Sequence, residues 1–158
     1  MEKQVVTGIA VQKTEAHIHI IGLPDTPGIV SQLFKPIGDA NINVDMIVQT
    51  NSNNGQTTDL TFTIPEGDAQ KTLDVIESHK NELQYESVRS NVNIAKVSVV
   101  GVGMQSYAGV AQKMFSALAD KNINIKSIAT SEIKISVIIE RDYVELATRV
   151  LHYAYGLE

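Results

Sequence analysis

Apolar positions along the chain follow two periods, one typical of strands and one typical of helices. Residues 17–23 alternate over a short β-rich run, which predicts a strand. Residues 29–37 place apolar side chains three and four positions apart, which predicts a helix. The same patterns continue with a strand over 44–50, a strand through 60–64, one helix over 69–83 and a strand over 86–91.

This order of elements, β-α-β-β-α-β, predicts an α+β fold of the ferredoxin-like kind, in which helices cover one face of an antiparallel sheet. The order then begins again. Residues 109–125 match residues 28–44 in type and spacing, and an Asn-Ile-Asn-aliphatic motif ends the predicted helix of each copy, at Asn41–Val44 and at Asn122–Ile125. Such self-similarity indicates two units with the same fold.

The second copy lacks a last strand. Its pattern predicts strands and helices over 95–102, 109–121, 125–131, 134–140 and 143–154, after which the sequence ends. An apolar run over residues 3–11 precedes the first copy and has no place in it. We therefore predict that this N-terminal strand, 3–11, completes the second unit, 92–158, and that the first unit, 14–91, is inserted in the second.

The Asp25 loop (residues 24–28) joins the first strand to the first helix. Thr26 is a predicted N-cap and Pro27 a predicted first helical residue. The free amides of a helix N-terminus attract a carboxylate, whereas Asp25 attracts an ammonium group. The loop therefore suits a free amino acid; the alternative is that Asp25 only caps its own loop. The corresponding loop, 103–109, contains Ser106 but no acid.

Composition narrows the function further. The formal net charge is −5, which gives no electrostatic footprint for nucleic acid. There is no cysteine, and no apolar run approaches the roughly 20 residues that span a bilayer, so we expect a cytoplasmic protein without a membrane partner.

His17 and His19 share a predicted strand face, which we interpret as solvated rather than metal-binding, because two ligands are too few for zinc. No phosphate loop or nucleophile elbow occurs, and we expect no cofactor.

Several motifs resemble the paired ACT domains of aspartate kinase, most closely those of the lysine/threonine-controlled bacterial enzymes. They are Pro-Asp-Thr-Pro-Gly at 24–28, Asn-Ile-Asn-Val-Asp-Met at 41–46, Val-Gly-Val-Gly-Met at 100–104 and Ser-Glu-Ile-Lys at 131–134. The resemblance implies an allosteric module without catalytic activity of its own. It would bind threonine and/or lysine for feedback inhibition of the lysine/threonine/methionine pathway. The Lys-Phe-Gly-Gly-Thr-like start of the family's kinase domain is absent from this sequence, which is therefore similar to a separate regulatory β subunit or to an excised fragment.

The resemblance also implies a homodimer through ACT units, and a catalytic kinase domain or α subunit as partner. Effectors would lie between the first unit of one chain and the second unit of another. The implied effector-binding residues are Asp25, Thr26, Pro27, Gly28, Ile29, Val30, Asn43, Val44, Asp45, Gln49, Ala111, Asn124, Ile125, Thr130, Ser131 and Glu132.

Three alternatives stay open at this point. The ligand could be threonine, with its hydroxyl met by Gln49 or Asn43, or lysine, with its charge met by Asp45. The chain could instead be a structural dimerisation module that binds no ligand. A small enzyme of the acylphosphatase type is a third possibility, but it needs a basic residue in a phosphate-binding loop, and residues 24–28 supply an acid.

Overall fold

The computed structural model describes residues 6–102 and 108–157. These residues form two compact units: one spans Thr14–Val92, and the other contains the described residues up to Lys13 and from Asn93 onward. In chain order the elements are β1 Val6–Gln12, β2 Glu15–Pro24, α1 Ile29–Asp39, β3 Asp45–Asn51, β4 Thr57–Pro65, α2 Ala69–Ser78, α3 Lys80–Leu83, β5 Ser87–Asn91, β6 Ile94–Gly101, α4 Ala108–Asp120, β7 Ser127–Thr130, β8 Lys134–Glu140 and α5 Val144–Ala154. Single 3₁₀ turns, Glu66–Asp68 and Arg141–Tyr143, precede α2 and α5.

Each unit has a four-stranded antiparallel sheet. The strand order is β3-β4-β2-β5 in the first unit and β1-β6-β8-β7 in the second. The two orders correspond strand for strand, with β1 of the second unit in the place of β5 of the first. The predicted α+β fold of two ferredoxin-like units, with the first inserted in the second, is confirmed.

Strand β1 shows how the insertion works. It pairs antiparallel with β6, from Val6 opposite Gly101 to Gln12 opposite Lys96. The prediction placed this strand at 3–11; the observed strand ends one residue later, and residues 3–5 lie outside the described part of the chain. The second unit thus takes its last strand from the residues that precede the first unit.

The first unit packs α1 onto the central strands of its sheet. Leu33 and Ile37 of α1 are fully buried with Ile18 and Ile20 of β2. Phe34 meets Phe62 of β4 edge to face, with ring centroids 5.1 Å apart. The apolar residues of α1 recur every three or four positions and so face one side of the helix, which explains why the 29–37 pattern predicted it correctly.

The repeated asparagines end α1 and α4 in the same way. Asn41 and Asn122 both adopt left-handed backbone conformations, with φ of 59° and 58°. Each is followed by a buried isoleucine whose amide donates to a carbonyl five residues back, from Ile42 to Ile37 at 3.2 Å and from Ile123 to Leu118 at 3.0 Å. This is the Schellman arrangement, in which asparagine substitutes for the usual glycine. The motif therefore marks two helix ends.

Two details of the predicted helices are wrong. Neither Thr26 nor Pro27 begins α1: Gly28, with φ of 89°, precedes the first helical residue, Ile29, and no side chain caps the helix. A residue in the left-handed region cannot be part of a right-handed helix, so the helix starts after Gly28. The single helix predicted over 69–83 is two, because His79 leaves helical geometry with φ of −111° and ψ of 19°.

Candidate functional site

Backbone hydrogen bonds hold the Asp25 loop, while the Asp25 side chain is exposed to solvent. The Asp25 amide donates to the Gln56 carbonyl at 2.9 Å, and the Thr26 amide donates to the Pro24 carbonyl at 3.0 Å. Residues 25–28 are all exposed. Among the described residues, none hydrogen-bonds to or pairs with the Asp25 carboxylate. The alternative that Asp25 caps its own loop is therefore wrong, and its charge stays available to a ligand.

The first turn of α1 leaves backbone donors beside this acid. The Ile29 amide donates to the Thr26 carbonyl at 3.2 Å, and the Gln32 amide donates to the Gly28 carbonyl at 2.9 Å. The amides between them, of Val30 and Ser31, have no acceptor among the described residues. Two free amides at the positive end of a helix form a favourable place for a carboxylate.

Gln49 lies at the same end of the sheet as the Asp25 loop. Thr58 of β4 is opposite Leu23 of β2 on one side and opposite Asn51 of β3 on the other, so β2 and β3, which flank β4, end at the same end of the sheet. Gln49 is exposed on β3, and its Nε2 donates to the Thr58 hydroxyl at 3.2 Å.

Asn43, Val44 and Asp45 lie at the opposite end of the same sheet. Asp45 is opposite Thr63, and a strand advances about 3.3 Å per residue, so Asp45 and Asn51 are separated by about 20 Å. Asn43 and Asp45 are exposed, whereas Val44 is half-buried against the core. One unit thus brings the Asp25 loop together with Gln49, and does not bring it together with Asn43–Asp45.

A backbone irregularity that the sequence pattern did not reveal sits beside Asp45. Met46 has φ of 49°, and β3 loses register with β4 between Asp45 and Val48. The Asp45 carboxylate accepts the Met46 amide at 2.8 Å, and the buried Thr63 hydroxyl donates to the Asp45 carbonyl at 3.1 Å. A left-handed methionine is costly, so these hydrogen bonds stabilise a strained bulge.

The predicted residues of the second unit divide in the same manner. Ala111 lies in the first turn of α4, and the last pair between β6 and β8 is Val100 opposite Lys134, so Thr130, Ser131 and Glu132 belong to the same end as Ala111. Those last three residues are exposed. Asn124 and Ile125 follow the opposite end of α4, where Asn124 is exposed and Ile125 packs against the core. The loop residues 103–107, including Ser106, lie outside the described part of the chain.

Tyr155 ties the end of α5 to the start of α4. Its hydroxyl donates to the Val110 carbonyl, and the Lys113 ammonium lies 5.6 Å from its ring centroid. Burial raises the pKa of Tyr155 to about 12, and a hydrogen bond from the Met114 amide opposes this rise. Nothing in the sequence pattern predicted this contact.

The two histidines of β2 do not lie on a solvated face. His17 is 1% exposed, and its ring lies 4.3 Å from that of the half-buried His19. The solvated interpretation is therefore wrong for His17, because alternation gives the face of a strand residue but not what covers it. Over residues 6–102 and 108–157, no three His, Asp or Glu side chains converge as a metal site would require. No helix in those ranges is long and apolar enough to cross a bilayer.

The family model of the ACT domain matches residues 18–79 and 97–155. This chain belongs to the ACT-domain family. Its two matched segments lie one in each unit, which agrees with the duplication described above. The resemblance stated from the motifs is thereby confirmed.

Similar proteins narrow the relationship to aspartate kinase. The aspartate kinase of Stutzerimonas stutzeri is 50% identical over 158 residues, which are 100% of this chain and 38% of that protein. A chain in the crystal structure of aspartokinase alpha and beta subunits is 47% identical with a TM-score of 0.89, and the match covers 96% of this ACT pair and 99% of that chain. The regulatory subunit of aspartate kinase from Thermus flavus is 41% identical with a TM-score of 0.89, again over 96% and 99%. The ACT pair thus corresponds to the regulatory portion of aspartate kinase.

Proposed function

We propose that this ACT pair is the allosteric module of an aspartate kinase and binds an end-product amino acid, threonine or lysine, at the Asp25 loop. Binding would give feedback inhibition of the lysine/threonine/methionine pathway through a catalytic domain or α subunit. The observation that carries the proposal is the exposed Asp25 carboxylate next to the free Val30 and Ser31 amides. Membership of the family and the match to regulatory subunits support it.

The chemistry of the loop selects a zwitterion. The two amides bind the α-carboxylate, and Asp25 binds the α-ammonium group through a charge-assisted hydrogen bond. A simple anion gains the amides but is repelled by Asp25, and a simple amine gains Asp25 but leaves the amides unused. Both charges on one small molecule satisfy both halves of the site.

The family resemblance implies that a second copy of the chain completes the site with its second unit, which would supply Asn124, Ile125, Thr130, Ser131 and Glu132. Asn43–Asp45 lie about 20 Å from the Asp25 end of their own sheet, as the advance of β3 requires, so one unit alone does not bring them to a ligand at the Asp25 loop. The outermost strands β3 and β7 each carry an exposed isoleucine, Ile47 at 53% and Ile128 at 44%, which supports pairing of sheet edges in a homodimer. An effector that contacts two copies stabilises the dimer, and it shifts the kinase by its difference in affinity for two states.

Different residues would recognise the side chains of threonine and of lysine. Gln49 shares an end with the Asp25 loop and suits the hydroxyl of threonine. Asp45 suits the distal ammonium of lysine, although it lies about 20 Å from the Asp25 end of its own sheet.

Isothermal titration calorimetry with threonine, lysine, methionine and isoleucine tests the proposal. We expect heat with threonine or lysine, and none with threonine amide or N-acetylthreonine, which each lack one charge of the zwitterion. Asp25→Asn should weaken binding by about 10- to 100-fold, the range of one charge-assisted hydrogen bond. Asp39→Asn is the matched control, since Asp39 is exposed at the far end of α1 and pairs with Lys35.

Two results would contradict the proposal. If none of the four amino acids binds, the sensing function is lost and a dimerisation module remains. If one binds but Asp25→Asn has the affinity of the control, the ligand is not anchored at this loop.

A further inference from the structure

The β3–β4 hairpin of the first unit is longer than its counterpart in the second. Its outermost strand pair is Asn51 opposite Thr58, followed by a turn over residues 52–56. In the second unit β7 already ends at Thr130 opposite Ile135, and residues 131–133 form the turn. The duplication therefore gave both units a hairpin, but only that of the first unit has this added length.

The added length reaches the Asp25 loop. Pro24 is opposite Thr57 in the extended part of the hairpin. The last residue of the turn, Gln56, accepts the Asp25 amide at 2.9 Å. The acid that we assign to the ammonium of the effector is thus attached, through its own backbone, to the tip of a hairpin.

Asn54 holds that tip together. Its Oδ1 accepts the Gln56 amide at 2.8 Å and the Thr57 amide at 3.3 Å, and the Ser52 hydroxyl also donates to it. The Ser52 amide donates to the Thr57 carbonyl at 3.0 Å, and the Gly55 amide donates to the Ser52 carbonyl at 3.1 Å. One side-chain oxygen therefore accepts three hydrogen bonds and fixes the orientation of Gln56.

We propose that Asn54 is a positioning residue of the effector site, acting on Asp25 through Gln56. The Asn54 side chain orients the Gln56 peptide, and the Gln56 carbonyl in turn holds the Asp25 amide. Preorganisation of this kind lowers the entropy that a ligand must remove when it binds. The inference rests on the proposed function for its effect on affinity, whereas its effect on the loop itself is independent of any ligand.

The second unit offers a comparison within the same chain. There the Ser131 hydroxyl accepts the Ile133 and Lys134 amides at 3.4 and 3.3 Å, and the Ile133 carbonyl accepts the amide of Gly101, the last residue of β6. The shorter turn thus supports the end of a strand. In the first unit the longer turn supports Asp25, one residue beyond the end of β2. In the first unit, therefore, the residue that the turn supports is an acid.

Amide hydrogen exchange, measured residue by residue by nuclear magnetic resonance on the whole chain, tests the contact directly. Asn54→Ala removes the shared acceptor, so the Asp25 amide should exchange about tenfold faster, since three hydrogen bonds of modest net strength are lost. Asn54→Asp keeps an acceptor oxygen and should restore slow exchange. Asn53→Ala is the matched control, because Asn53 is exposed in the same turn and makes no hydrogen bond to any described residue.

Calorimetry of the same variants with threonine and with lysine provides the second readout. We expect Asn54→Ala to weaken binding about tenfold, and Asn54→Asp and Asn53→Ala to bind as the unaltered chain does. Unchanged exchange at Asp25 in Asn54→Ala overturns the inference whatever the effector does. Faster exchange with unchanged affinity also overturns it, because the loop then needs no support. If the unaltered chain binds neither amino acid, the proposed function and the positioning role both fail, while the exchange data still decide whether Asn54 holds Asp25.

Discussion

Substitution of Gly22 by alanine should destabilise the first unit more than the same change at Gly28, which also has a positive φ. Gly22 has φ of 77°, and its amide donates to the Asp59 carboxylate at 2.9 Å, where β2 loses register with β4. A Cβ at this position would lie 2.8 Å from the Glu86 Cβ. Gly28 has φ of 89° with nothing within 4 Å of its Cβ position.

The expected magnitudes follow from these differences. Alanine in the left-handed region costs about 1–2 kcal/mol, which is the whole effect at Gly28. At Gly22 the contact with Glu86 adds an overpacking term, for a total of about 2–4 kcal/mol. Gly38 lies in α1 without positive φ and with nothing near its Cβ position, so Gly38→Ala should stabilise the unit by about 0.5–1 kcal/mol.

Urea-induced unfolding followed by circular dichroism measures the three effects in one transition, because all three glycines belong to the first unit. The offending atom of Glu86 is its Cβ, so Glu86→Ala should not rescue Gly22→Ala, whereas Glu86→Gly should recover part of the loss. Equal losses of unfolding free energy in Gly22→Ala and Gly28→Ala would mean that the contact with Glu86 costs nothing, since backbone conformation alone would then account for both.

Other substitutions test helix ends, core packing and pH dependence. Asn41→Ala and Asn122→Ala should each lower the free energy of unfolding by about 1 kcal/mol, because both place alanine at positive φ; thermal unfolding checks this, and unequal losses would argue against equivalent helix ends. Leu33→Ala should cost about 2–5 kcal/mol and the exposed Gln32→Ala less than about 0.5, measured by urea unfolding. Burial raises the pKa of Tyr155 from 10.0 to about 12, so the folded state favours its neutral form. The stability this provides is present below pH 10.0 and is lost as the pH rises towards about 12. Unfolding midpoints of the unaltered chain and of Tyr155→Phe should be measured below and above this pH window. We expect the difference between the two proteins to be smaller at the higher pH.

The sequence predicted the architecture because two signals agreed. Strand and helix periods gave the order of elements, and the repeat showed that the second copy lacked a strand which the N-terminal run could supply. The Asn-Ile-Asn motif was visible as a repeated feature, although its role as a left-handed helix end required the backbone angles of Asn41 and Asn122. Periodicity reports which face of an element is buried, and this was sufficient for the fold.

The sequence pattern did not predict features that depend on a single backbone angle or on which residues cover a side chain in the fold. Threonine and proline before a helix are good capping residues, yet the conformation of Gly28 moved the start of α1 beyond them. The polar strand face of β2 indicated solvent, but His17 is buried. The contact between Gln56 and Asp25 joins residues that are 31 positions apart, and no local pattern encodes it. The chemistry of the Asp25 loop could be predicted from residue types, whereas its support could not.

A crystal structure with threonine or lysine bound would show whether the Asp25 loop is the effector site. We expect a ligand at this loop, with its carboxylate on the Val30 and Ser31 amides and its ammonium group on the Asp25 carboxylate. An amino acid bound elsewhere, with the first turn of α1 and Asp25 both free of it, would mean that the Asp25 loop is not the effector site.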